Sequence, residues 1–188
     1  MKAPSRLLVI TLAVLLSSCG GGGDSNSSAG RSPAVYARDF CTAFNTWKEA
    51  VSSRSDQLQQ DLSKATPENL EAIRDLLLTY LDDNIVLTDQ AREDIRAAGV
   101  PHVENGAQIA SALAGAIASA RDIFDDARKQ ARNLPADDPD AFVGGLGDLA
   151  TGLPKQFEAI PVAERLPDEA SPELREAFTR EPACEALN

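Results

Sequence analysis

The chain has 188 residues, with 29 acidic and 18 basic side chains and a net charge of −11 at neutral pH. A surface of that sign repels nucleic acid and anionic lipid headgroups, so neither is expected as a partner. Six Phe, two Tyr and one Trp make a thin aromatic supply, and the core must come mostly from Leu, Ile, Val and Ala.

The first residues carry Lys2 and Arg6 and then the apolar run Leu7 to Leu16. This is the layout of an export signal, and the apolar run is too short to span a bilayer as a stable helix. It ends in Leu16-Ser17-Ser18-Cys19, an aliphatic residue, two small ones and a cysteine. The stretch resembles the lipobox of bacterial lipoproteins, and the resemblance covers only the first nineteen residues or so. It implies that residues 1–18 are a lipoprotein signal peptide cut before Cys19. By the same resemblance the Cys19 sulfur carries a diacylglyceryl group and the new amino group is acylated. The membrane is then a partner through this lipid anchor, on the extracytoplasmic face of the bacterial cell. Cleavage removes Lys2 and Arg6 and no acid, which takes the net charge from −11 to −13. Arg outnumbers Lys 13 to 5 and Ala is abundant, a bias of high-GC genomes such as those of actinobacteria.

If Cys19 is lipidated, the other two cysteines, Cys41 and Cys184, are left as a pair. Outside the cytoplasm two such thiols normally form a disulfide. A metal site or a catalytic thiol would need partners the chain lacks, since His102 is the only histidine and no CxxC occurs.

From Cys19 to Pro33 the chain is rich in Gly and Ser and reads as a flexible tether, residues 19–33. Asn26-Ser27-Ser28 has the form of a glycosylation sequon but reads as solvated linker. A single domain, residues 34–188, follows. Phe40, Phe44, Trp47, Val51, Leu58 and Leu62 step by three, four or seven, which predicts a first helix from Ala34 to about Leu62. Polar residues 52–56 weaken the stripe and mark the place where a kink would form. Thr66-Pro67 has the pattern of a cap and a first-turn proline, and predicts the start of a second helix with Leu70, Ile73, Leu77, Leu81, Ile85, Thr88 and Ile95 inward. Gly99-Val100-Pro101 should stop it. Asp82-Asp83-Asn84 spreads over most of a turn rather than converging, and reads as a solvated face rather than a metal cluster.

A third helix is expected from Ala107 to Asn133, with Ile109, Leu113, Ile117, Phe124 and Ala131 inward. Its uncharged, small-residue half, residues 106–120, either packs closely against a neighbour or leaves room for an apolar ligand. Asp138-Pro139 should open a fourth helix with Phe142, Val143, Leu146 and Leu149 in the core. Gly144, Gly145, Gly147 and Gly152 weaken it, each by about 1 kcal/mol relative to Ala. They either permit tight helix contact or leave the segment irregular. The glycine run lacks the Lys and Ser/Thr of a phosphate loop, and Asp137, Asp138 and Asp140 lack the spacing of a calcium loop. Leu153-Pro154, Pro161 and Pro167 should break the chain into turns before Ser171-Pro172 caps a last helix with Leu174 and Phe178.

Nucleophilic catalysis needs a base near a Ser or Cys, and His102 stands alone in a loop. A haem would have only Tyr36, Tyr80 or His102 to choose from, and their spacing selects none. The chain therefore reads as non-catalytic, with no cofactor and no metal. The expected fold is all-α, a four-helix up-down bundle with a short additional C-terminal helix. The start of the first helix and the end of the chain then share one end, where Cys41 and Cys184 are. The expected function is that of a cell-envelope lipoprotein acting through contacts with another envelope protein. The alternative is a carrier or sensor of a small apolar ligand bound between helices, motivated by the small-residue face of 106–120 and the glycines of 144–152.

Overall fold

The computed structural model describes residues 30–66, 68–160 and 170–187. The signal segment, Cys19, most of the tether, Pro67, Pro161 and Pro167 lie outside the described residues. The described chain is all-helical: α1 (Pro33–Lys64), α2 (Leu70–Ala97), α3 (Gly106–Arg132), α4 (Pro139–Glu158), α5 (Pro172–Arg180) and a final 3-10 helix, Pro182–Leu187. The one extended feature among the described residues is an isolated bridge between Arg31 and Pro101.

Local signals explain most of the boundaries. Ser32, Asp138 and Ser171 each accept a hydrogen bond from the backbone N–H three residues on, and a proline follows each at the first helical position. Gly99, at φ +82°, ends α2's turn in the left-handed region. The start of α2 differs from the expectation. Asn69, not Thr66, is the cap, its Oδ1 accepting from the Ala72 N–H at 3.1 Å. An Asn side chain three residues before a free N–H competes equally well, so the proline pattern misplaced the start by three residues.

Cross-helix pairs set the directions. Trp47 pairs with Thr88, Arg54 with Asp83 and Ser55 with Tyr80, so α1 and α2 run antiparallel. Arg121 with Asp89 and Arg128 with Asp82 do the same for α2 and α3. Phe124 meets Phe157, and Leu134 lies beneath Gly145, which makes α3 and α4 antiparallel too. Helix α5 packs on α1.

The core has two parts. At one end Tyr36, Phe40 and Phe44 of α1 meet Ile95, Leu113, Leu174 and Phe178. There Cys41 and Cys184 are joined, with Cα atoms 5.1 Å apart. At the other end Leu77, Leu81 and Ile85 meet Phe124, Leu134 and Phe142. Trp47 packs against both. Beside it lies a polar layer: the Trp47 indole N–H donates to Thr88 Oγ1 at 3.0 Å, and Thr88 donates to the Asn84 carbonyl at 2.6 Å. Asn84 is 0% exposed, which corrects the reading of 82–84 as a solvated run. Spacing overrides polarity here, because 84 falls on the buried stripe of 77, 81, 88, 91 and 95.

Three further expectations change. Helix α1 continues unbroken through residues 52–56. Val143 is 64% exposed, leaving Phe142 as the buried residue of α4. Pro154 lies inside α4 rather than ending it. Its ring removes one backbone hydrogen bond, but Leu153 and Phe157 on either side pack onto the core and hold the turn. The last residues of the tether are docked as well. Arg31 N–H donates to Val100 O, and His102 N–H donates to Arg31 O, both at 2.7 Å. A Cβ on Gly30 would come within 2.9 Å of Val100 O, so the close approach requires glycine.

Candidate functional site

The second half of α1 keeps its apolar stripe but lacks a full partner for it. Val51, Leu58 and Leu62 are only half-buried. Helix α4 packs on α3 and makes no comparable contact with α1. Its placement follows from three residues: buried Phe142, Phe157 against Phe124 with ring centroids 4.9 Å apart, and Gly145. A Cβ at Gly145 would stand 2.5 Å from Leu134 Cδ2, so this glycine lets α4 settle on the end of α3. Gly145 thus permits tight contact, whereas a Cβ at Gly144 or Gly147 would meet nothing within 4 Å, and the run is helical throughout.

Between α1 and α4 runs a solvent-open groove of about 280 Å³. Leu58 and Leu62 form one wall, Leu146, Leu149 and Leu153 the other, and Leu77, Leu81 and Ala127 the floor. Its polar groups are Ser55 Oγ and Tyr80 OH, which bond each other at 3.0 Å and so leave little unmet demand. Charges on the nearby rim are paired: Arg54 with Asp83 at 3.4 Å and Lys64 with Asp61 at 3.2 Å. The side-chain hydrogen bond from Gln57, with that from Lys64, holds the Asp61 carboxyl below its ordinary range.

The residues singled out from sequence fall elsewhere. Cys41 and Cys184 lie at the opposite end, buried among aromatic rings. Tyr36 is there too, fully buried, with its hydroxyl unpartnered and its pKa pushed up to about 12 by burial. Tyr80 is tied to Ser55, and His102 is exposed in the loop before α3. Asp138 serves as the α4 cap. No group of three or more His, Cys, Asp or Glu that could hold a metal occurs among the described residues. The small-residue face of α3 and the α4 glycines are not brought together. Ala116 and Ala120 are buried on α3, whose main partner is α2, whereas the core around Phe142 of α4 takes in Phe124, Ala127 and Ala131 from the later half of α3. The groove was missed because half-burial of Leu58 and Leu62 leaves no mark in their spacing, which is that of a buried stripe. No described helix is long and apolar enough to cross a membrane.

Compared with known proteins, the chain matches no family model, no curated protein and no solved structure.

Proposed function

We propose that the protein is a lipid-anchored lipoprotein of the bacterial cell envelope, held by Cys19, with no catalytic role. It acts by taking the apolar face of a partner protein's helix into the leucine groove between α1 and α4. On this reading the four long helices are one up-down bundle left open along that seam, and the partner helix closes it. The observation that carries the proposal is the groove itself, an open apolar channel beside a filled core. An amphipathic helix lays side chains spaced three and four apart into such a channel. The groove's volume of about 280 Å³ is at or just below the lower end of pockets that enclose a small ligand. The anchor rests separately on Leu16-Ser17-Ser18-Cys19.

The alternative is a carrier of a small apolar molecule in the same groove, favoured by its seven leucines and its self-satisfied polar pair. Native mass spectrometry of the protein released from its own membrane separates the two. Protein contact requires a co-purifying polypeptide that is lost on Leu149→Glu. A ligand-sized adduct lost on the same change would replace it with the carrier.

A further inference from the structure

A second groove, of about 440 Å³, lies at the other end of the molecule, between the last turns of α2 and the first half of α3. Its α3 wall is built of small residues, among them Ala110, Ser111, Ala114 and Gly115, so no side chain fills it. A Cβ on Gly115 would meet nothing within 4 Å. The α2 wall carries Arg92 and Arg96, one helical turn apart on the same face. The antiparallel register set by Arg121–Asp89 and Arg128–Asp82 carries on to place Arg92 across from Ala118 and Arg96 across from Ala114.

These two arginines differ from most others. Arg31, Arg38, Arg54, Arg121, Arg128 and Arg180 each pair with an acid, as a strongly acidic protein allows. Neither Arg92 nor Arg96 forms an ion pair with a described residue, and Glu93 and Asp94 do not line the groove. Arg92 Nε is moreover buried without any acceptor. That buried Nε is closed off from solvent, so an arriving oxyanion would be met by the outer Nη groups of Arg92, which lines the groove and has no buried, unbonded Nη. Two guanidiniums on one face match the charge and forked geometry of a phosphate. The net negative charge of the chain opposes this only at long range, because salt screens charges beyond about 8 Å.

We propose that this groove binds a phosphate ester, with Arg92 and Arg96 holding the phosphate oxygens and the alanine wall receiving the rest of the molecule. The site stands independently of the anchor and of the leucine groove. Val100, which borders it, also binds the start of the described chain by accepting from Arg31 N–H. An ester free in solution and the headgroup of an anionic phospholipid present the same chemistry there.

The test is hydrogen-exchange mass spectrometry of the full chain in neutral detergent, titrated with glycerol 3-phosphate at constant ionic strength. Saturable slowing of exchange in residues 92–100 and 107–118 is expected. Arg96→Gln should weaken it by about tenfold or more, the loss of a charged hydrogen bond. Gly115→Leu, which points into open space and spares the core, should abolish it without lowering the melting temperature. A parallel arm compares vesicles of phosphatidylglycerol with vesicles of phosphatidylcholine. Slowing on phosphatidylglycerol alone identifies a headgroup, and slowing by the soluble ester alone identifies a free ester. No slowing in either arm, or equal slowing by chloride or in both variants, overturns the proposal.

Discussion

Joining Cys41 to Cys184 closes a loop with a sequence separation of 143 residues, nearly the whole described chain. Replacing both residues, as Cys41→Ala with Cys184→Ala, restores to the unfolded chain the freedom that the link denies it. In the chain-entropy account a loop of this length is worth about 5 kcal/mol at 25 °C, an upper figure because residual structure in the unfolded chain reduces it. With a urea dependence of about 2 kcal/mol per molar, the unfolding midpoint should fall by at most about 2.5 M. The loss should also be uneven. Helix α5 and the final 3-10 helix rest mainly on α1, whereas α2 and α3 form the most extensive helix pair. Amides of 172–187 should therefore lose exchange protection before those of 77–95 and 109–127, with helical content nearly unchanged in the absence of denaturant. A midpoint shift below about 0.5 M, a figure set against the same slope, would refute the entropic argument. Both thiols being freely alkylatable in protein taken from its native compartment would refute the link itself.

Enlarging Ala116, which is 3% exposed on α3, to Leu should overpack the surrounding core and cost about 1–3 kcal/mol in denaturant unfolding. Equal or higher stability would mean that the space around Ala116 is empty. Tyr36 is raised to about 12, so folding favours its neutral form. That stability is fully present below the unfolded value near 10 and is lost as the pH rises through 10 to 12, by about 1.4 kcal/mol per pH unit. In a Tyr80→Phe background the remaining phenolate absorbance should therefore appear only near pH 12, and its appearance near pH 10 in the folded protein would show Tyr36 to be solvated. Cys19→Ala should abolish acyl labelling and signal-peptide processing, and unchanged labelling would end the lipoprotein proposal.

Helix periodicity made the core legible, since Phe40, Leu81, Leu113, Ile117 and Phe124 all sit where three-and-four spacing puts them. Hydrophobicity alone was a weaker guide. Asn84 is buried because its position falls on the stripe, and Val143 is exposed because Phe142 already fills the α4 contact. Pro154 shows the limit of breaker residues, whose local cost tertiary packing by Leu153 and Phe157 outweighs. Neither groove was legible. Each depends on what fails to face a residue, the missing α1–α4 contact in one case and the missing acid beside Arg92 in the other. Spacing along one helix carries no information about such absences.

If the leucine groove takes a partner helix, its position constrains which partners can reach it. Leu58 lies 25 residues along α1 from Pro33, roughly 40 Å of helix at 1.5 Å per residue. The described chain begins at the opposite end, where Gly30 and Arg31 are fixed to the loop after α2. If Cys19 carries the anchor, a Gly/Ser-rich stretch of that length between it and Gly30 would allow a reach of roughly 20 Å. The groove is then at the end of the molecule far from the tether root, and the phosphate groove is near it. A partner helix lying in the plane of the anchoring membrane would meet the wrong end of the protein. One carried on a domain standing several tens of ångströms off that membrane would meet the groove, so lengthening the linker past that match should weaken contact with it by lowering the effective concentration and leave contact with a freely diffusing partner unchanged.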